Sequence, residues 1–406
     1  MKSQPLHGAK VLDFTRVLAG PFATMALGDL GADILKVEPL NGDESREWPP
    51  MLQTGESGYF LSINRNKRSI TLNLKDPRAQ KIVRQLSRSV DIVVENFTPG
   101  VVHKLGIDYE SLRQENPGLI YCSISGFGQQ GPYRNKKAYD PIIQGITGLM
   151  SITGERGRSP VKVGIPITDL VAALNAIIAI QAAYVHRLRY GEGQYIDVAL
   201  YDSMISLLTI MAMEYFVTGR PPERWGLDHV HRIPARAFRA KDGKYVQVTA
   251  TNDTMYPSFC RTIGLEWLID DPRFSSNANR LKNRDKIMPI LEEKMLEHES
   301  SYWLELFEKA GLPCGPILDI QEVFASSNVA AREMVFEVDH PIAGKVKQLG
   351  FPYKFSLTPA QMNRRPPLLG EHNLEVLRVL GYSEEDCEQL SLDGVIRLDK
   401  DRQAHR

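Results

Sequence analysis

Cysteine is scarce in this chain. Four occur, at positions 122, 260, 314 and 387, and no two form a CxxC pair. That argues against a disulfide framework or a thiolate metal cage and fits free thiols in a reducing compartment, so a cytoplasmic setting is expected. An excess of charge of one sign is lacking too, with 49 basic residues against 49 acidic ones. A dedicated binder of nucleic acid or anionic membrane would carry a basic surplus, so neither partner is expected. The opening MKSQPLHGAKVLDF has no apolar run of the kind a secretory leader needs. The longest apolar stretch, 170–185, is interrupted by Asn175 and Gln181. It reads as a buried core helix, too short and too polar to span a bilayer. No GxSxG elbow, HExxH or P-loop occurs, which leaves serine-esterase, zincin and NTPase readings without support. The nine histidines show no metal-ligand spacing, and His229 and His231 read as a surface or hydrogen-bonding pair, so no metal site is expected.

A chain of 406 residues exceeds what one core usually serves, and two domains are expected. The first half alternates strand and helix signals. Strands are expected at 11–14, 33–37, 69–74, 91–94, 119–123 and 194–200, with helices at 20–30, 78–88, 140–150, 168–190 and 202–217. A short helix is expected near 100–105. This rhythm predicts an α/β fold, a doubly wound, mostly parallel, Rossmann-like sheet with helices on both faces. TGRPPE at 218–223 reads as a linker, and a hairpin around Asp242-Gly243 opens a smaller α+β domain that GLPCGP, 311–316, punctuates. The expected division is a large domain over 1–217, linker and small domain over 218–328, and a return segment over 329–406 completing the large domain.

GFGQQG at 126–131 matches GxGxxG and follows a strand. A dinucleotide cradle needs a helix to open on the third glycine, but Pro132, Tyr133 and a polar run follow. The loop is better suited to close backbone approach to another ligand. Basic residues recur at expected loop edges, among them Lys36, Lys67, Arg68, Lys75, Lys104, Lys136 and Lys137. Most such charges are solvated surface, yet beyond the carboxyl ends of parallel strands they suit a phosphorylated ligand.

Asp169 carries the most chemistry. It lies in GIPITDL, 164–170, at the start of the long Ala/Ile/Leu helix, with Thr168 as expected N-cap. A carboxylate there meets unpaired backbone N–H groups and the positive end of the helix dipole, which favour its ionised form. Such a group either caps its helix or, in a partly dry pocket, attacks an activated carbonyl.

Several motifs together resemble the family III CoA-transferases, which include formyl-CoA transferase and carnitine CoA-transferase. They are VLDFTRVLAGPFATMALGDLGADILKVEP (11–39), NRNKRSITLNLKDP (64–77), VVENFTPGVVHKLG (93–106), SGFGQQGP (125–132), KAYDP (137–141), GIPITDL and PPLLGEHNLEVL (366–377). The resemblance covers nearly the whole chain. It implies Asp169 as nucleophile and acyl-CoA and carboxylic acids as substrates, with no permanently bound cofactor. It implies Val17, Leu18 and Ala19 along the adenine and pantetheine path, Leu72 and Lys75 at the nucleotide end, and Asn96 and Phe97 at the pantetheine. Lys104 would meet the phosphates, and Lys137, Ala138, Tyr139 and Asp140 would lie nearest the chemistry. A homodimer of interlocked chains is also implied.

Some positions depart from formyl-CoA transferase. Leu18 replaces a Gln near the small acid, Pro39 follows Glu38 where an Arg stands, Lys104 replaces an Arg common in the family, and ATND (250–253) replaces the glycine flap. RWGLDHVHRIPARAF, 224–238, looks more like the succinyl-CoA–dicarboxylate branch, with Arg224, Arg232 and Arg236 as candidates for a distal carboxylate. The implied reaction moves CoA from succinyl-CoA to a dicarboxylate such as glutarate. The alternatives are a 2-methylacyl-CoA racemase and a non-catalytic CoA-binding protein. The racemases use a His where Tyr139 stands, and a phenol is a poor base near neutral pH.

Overall fold

The computed structural model describes residues 4–398; residues 1–3 and 399–406, at the outer ends of the first and last expected segments, lie outside it. Six strands form one sheet: β1 (Lys10–Asp13), β2 (Asp33–Glu38), β3 (Lys67–Thr71), β4 (Ile92–Glu95), β5 (Ile120–Ser125) and β6 (Tyr195–Ala199). Their order is β3-β2-β1-β4-β5-β6, and every pairing is parallel. The strand order reverses between β1 and β4, and the crevice at such a switch point is where open parallel sheets hold their ligands.

Alternation along the strands divides the core. Val11, Ile34, Val94 and Cys122 pack on one face with Ala23 and Leu27 of α1 (Ala19–Asp29). Leu12, Leu35, Val93 and Tyr121 face the other way, onto Ile82, Val83 and Leu86 of the helix Pro77–Ser87. That helix begins one residue ahead of the expected 78, the Asp76 carboxylate accepting from Arg78 N at 2.8 Å with Pro77 in the first turn. The C-terminal segment returns to the same face with Val376, Leu377 and Leu390. It docks through Asn373, whose carbonyl oxygen accepts from Thr71 N at 2.8 Å.

The expected helix over 140–150 ends early, as α2 (Asp140–Ile146), with a separate turn of helix at Leu149–Ile152. Helix α3 (Ile167–Tyr190) runs 24 residues. By length and composition it could cross a bilayer, against the expectation from sequence. Ala172, Ala176, Ile180 and Ala183 are buried at helical spacing, small enough to let α3 lie close on α1 and β5. Leu174, Ile178, Val185 and Leu188 are exposed. The expected helix over 202–217 is two, α4 (Leu200–Leu207) and α5 (Thr209–Thr218), bent by 69°. Thr209 at the bend has φ 30°, a β-branched residue in a conformation that no sequence pattern announces.

Residues 150–161 and 218–329 form a second compact unit. Its hairpin pairs β7 (Ala235–Arg239) with β8 (Tyr245–Thr249), turning through Gly243 at φ 80°. The stretch read only as punctuation contributes a third strand, β9 (Cys314–Pro316), against β8. The core centres on Phe259, Trp303 and Phe307. In the first unit the return segment adds the antiparallel pair β10 (Val335–His340) and β11 (Gly344–Leu349).

Candidate active site

Three loops at the carboxyl ends of β1, β4 and β5 meet the start of α3. After β1 the chain turns through Thr15, Arg16 and Val17, and Val17 has φ 67°, a region that β-branched residues avoid. Asn96, just past β4, holds the turn: its side-chain oxygen accepts from Arg16 N and its Nδ2 donates to Arg16 O, both at 2.8 Å. The Asp43 carboxylate accepts from Val17 N at 3.3 Å. A Cβ on Gly20 would stand 2.2 Å from the Thr15 methyl, so the start of α1 against this loop requires glycine.

Beneath the loop lies a buried charge network. Lys67 Nζ meets Asp13 Oδ2 at 3.0 Å, and Lys36 Nζ meets Asp43 Oδ2 at 2.9 Å and Thr15 O at 2.7 Å. Burial alone would raise the Asp43 carboxyl, but the Lys36 ammonium outweighs it and holds that carboxyl well below the usual range. Burial pushes the Lys67 ammonium down to about 8 against the pull of Asp13. Lys36 and Lys67 were expected at loop edges, and the structure corrects this: both lie within strands, fully buried and ion-paired. Their charges displaced the expected start of β3 for the same reason. Arg68 pairs with Asp33 and Glu375.

Beyond β4, Phe97 N donates at 2.8 Å to Glu95, whose carboxyl also bonds the Ser123 hydroxyl and is pushed by burial to about 7. Beyond β5, the GFGQQG loop runs through turns to residue 136, and helix resumes only at Asp140. A Cβ on Gly126 would fall 2.2 Å from the Ala138 methyl, so this glycine lets the loop lie against KAYDP.

Asp169 sits in the first turn of α3. The expected cap is wrong: Pro166 occupies the N-cap position, and the Thr168 hydroxyl is buried without a hydrogen-bond partner among the described residues. The cap comes from α2 instead. Asp140 Oδ1 accepts from Thr168 N at 3.0 Å, and Oδ2 accepts from Gln144 Nε2 at 2.7 Å. Gln144 Oε1 in turn accepts from Val163 N at 2.9 Å, so both ends of the segment leading into α3 are tied to α2. The expectation that the helix start would favour ionised Asp169 is overturned as well. Burial, then the Asp140 charge, push its carboxyl up to about 7. Loss of water outweighs a dipole that is only a fraction of a charge. Burial and the nearby charges of Asp169 and Asp43 raise the Tyr59 hydroxyl to about 12, so it stays a proton donor at neutral pH.

These parts surround a cleft of about 350 Å³ that Asp169 lines. Residues 6–373 match the family CoA-transferase family III. The chain belongs to that family.

Its relatives agree. It is 42% identical over 395 residues to the succinyl-CoA:glutarate CoA-transferase of Mus musculus, covering 97% of this chain and 90% of the mouse protein. It is 39% identical over 386 residues to the succinate–glutarate CoA-transferase of Agrobacterium fabrum, covering 93% and 96%. The crystal structure of a CaiB/BaiF family protein from Brucella suis superposes with TM-score 0.83 at 38% identity, covering 93% of this chain and all of that one. The protein is thus a CoA-transferase, an enzyme whose substrates are CoA esters.

In this family III CoA-transferase, Val17, Ala19, Asn96, Phe97, Lys137, Ala138 and Tyr139 line the cleft with Asp169. Leu18 and Leu72 are buried and do not line it. Lys75 and Lys104 are exposed and also off its lining, and Asp140 stands behind Asp169 as the helix cap. Sequence reasoning missed Arg16, Glu44, Thr98 and Arg134, which line the cleft too. The usable signal was position: Arg16 and Thr98 follow the two strands that flank the switch point.

Proposed function

We propose that Asp169 is the nucleophile of a CoA transfer from succinyl-CoA to a C4–C6 dicarboxylate such as glutarate. The observation that carries this is a half-buried carboxylate, without a side-chain hydrogen-bond partner among the described residues, inside a cleft at the sheet's switch point. The names of the mouse and Agrobacterium relatives support the substrate class. Asp169 attacks the thioester carbonyl, the C–S bond breaks, and CoA thiolate leaves an acyl–aspartyl anhydride. The thiolate attacks the aspartyl carbonyl, releases succinate and forms an aspartyl–CoA thioester. The acceptor carboxylate attacks that thioester, giving a second anhydride and free thiolate. Attack of the thiolate on the acceptor acyl carbonyl yields the new CoA ester and restores Asp169. The steps are close in energy, so the protein's task is to position the groups, bind oxyanions and exclude water. Backbone N–H groups around the start of α3 and the Gly126 loop are suited to the oxyanions. An acceptor screen with succinyl-CoA, read by mass spectrometry of the CoA esters, should yield glutaryl-CoA. A preference for oxalate with formyl-CoA would overturn the substrate class. Proton exchange of a 2-methylacyl-CoA in D₂O without CoA transfer would move the chain to the racemases.

The nucleophile must be ionised to attack. With the Asp169 carboxyl raised to about 7, kcat/KM should rise with pH through that value in the free enzyme. Asp140→Asn keeps a carbonyl acceptor for Thr168 N and removes the charge, so it should move this limb to lower pH. A flat profile between pH 5.5 and 8.5, roughly a unit and a half either side, would contradict the assignment.

Lys137 lines the cleft and Lys104 does not, so the two should part company. Lys137→Ala should raise KM for CoA esters by roughly 10-fold or more with a smaller effect on kcat, as for loss of one charge-assisted contact. Lys104→Ala should change it little. Equal effects would return Lys104 to the phosphate site that the resemblance implies.

The functional particle is proposed to be a homodimer in a cytoplasmic setting. Leu174, Ile178 and Leu188 on α3 and Ile210, Phe216 and Val217 on α5 are exposed large apolar side chains, which mark an interaction surface where they are contiguous. Sedimentation should give twice the chain mass; a monomer would refute it.

A further inference from the structure

The cleft contains a cation with no carboxylate partner among the described residues. Arg16 is half-buried and lines the same cleft as Asp169. Its guanidinium lies 5.2 Å from the Phe97 ring centroid, and among the described residues no carboxylate lies within 4.0 Å of it. Glu44 also lines the cleft without reaching that distance. Every other buried or half-buried cation near β1 is paired: Lys36 with Asp43, Lys67 with Asp13, Arg46 with Glu38. A partly desolvated guanidinium without a counter-ion costs free energy, and so does left-handed backbone at Val17 beside it. Asn96, which accepts from Arg16 N and donates to Arg16 O, and Asp43, which accepts from Val17 N, hold that costly arrangement in place. The fold therefore fixes Arg16 at the cleft while leaving its charge for something else.

Of the three arginines that the sequence offered for a distal carboxylate, Arg232 is exposed and is not among the residues lining the cleft, and the other two are engaged elsewhere. Arg224 donates to the carbonyls of Ser151 and Arg158, and Arg236 pairs with Asp228 and Glu292. The other cleft cations, Arg134, Lys136 and Lys137, are solvent-exposed, and Lys136 stands over the Tyr133 ring.

We propose that Arg16 is the receptor for the distal carboxylate of the dicarboxylate substrate, forking it with two parallel N–H···O bonds while the other end reacts at Asp169. A guanidinium fixed by its backbone and laid on an aromatic face matches a planar carboxylate better than a lysine would. The assignment rests on the CoA-transfer reading above and narrows it: the acids selected are those with a second carboxylate.

The test compares glutarate with pentanoate, its counterpart lacking the second carboxylate, as acceptors from one donor. The kcat/KM ratio should fall on the order of 10²-fold in Arg16→Leu, as when one partner of a desolvated charge pair is truncated. Arg16→Gln, which keeps the stem and a polar head, gives the same reading if the Leu variant does not fold, and Arg16→Lys should retain part of the ratio. If wild-type turnover of pentanoate is below detection, inhibition constants of the two free acids supply the ratio. A ratio unchanged within about threefold, or equal losses for both acids, would overturn the assignment. Hydroxylamine trapping of the wild type with donor alone separates the two readings. An Asp169 adduct with an unchanged ratio defeats only Arg16; continued CoA transfer with no adduct defeats the aspartyl intermediate itself.

Discussion

Asp169→Asn should lose CoA transfer by at least about 10⁴-fold while the protein melts at the same temperature as the wild type or slightly higher. Both halves follow from one observation. The carboxylate is half-buried and stands beside the Asp140 charge, and burial, then that charge, push it up to about 7. A neutral amide of the same shape removes that electrostatic cost and the nucleophile together, and stability gained where activity is lost is the usual signature of a functional group held against its preference. The measurement is steady-state transfer from succinyl-CoA alongside a thermal melt. Turnover within tenfold of wild type would remove Asp169 from the chemistry. A large loss of stability would mean that its main role is in the fold.

Asp13→Asn should cost about 3–5 kcal/mol of stability, the second large effect expected. Asp13 is fully buried and accepts from Thr15 N at 2.8 Å and Thr24 Oγ1 at 2.7 Å while facing Lys67 Nζ at 3.0 Å. The amide keeps the size and removes the counter-charge, leaving the Lys67 ammonium buried with no full charge opposite. Because Thr15 opens the loop that carries Arg16 and Val17, partial unfolding should appear first as a raised KM. Urea titration checks the magnitude. A midpoint corresponding to less than about 1 kcal/mol of loss would show that water or rearrangement relieves Lys67.

How much of this was legible in the chain depends on the range of the interaction that decides each feature. The parallel sheet was readable because apolar strand runs and amphipathic helices are local signals. Even the Asp76-Pro77 helix start appears where its residues demand it. The start of β3 was misread because Lys67 and Arg68 look like solvent residues until Asp13 and Asp33, distant in sequence, are placed beside them. The bend between α4 and α5 left no trace because Thr209 is an ordinary helix residue until packing forces its backbone. At the site, Asp169 was visible from its motif, yet its cap and its proton affinity were not, since both come from Asp140 on another helix and from burial. Arg16 was passed over although it lies inside a quoted motif. Its importance is a matter of what does not approach it, and that is a property of three-dimensional space alone.

The central claim is that the carboxyl of Asp169 becomes covalently bound during transfer. Incubation with succinyl-CoA and hydroxylamine, followed by peptide mass spectrometry, tests it directly. A single hydroxamate at Asp169, dependent on the CoA ester and absent in Asp169→Asn, is the predicted result. Continued turnover with no modified aspartate, or with the adduct on another residue, would contradict it.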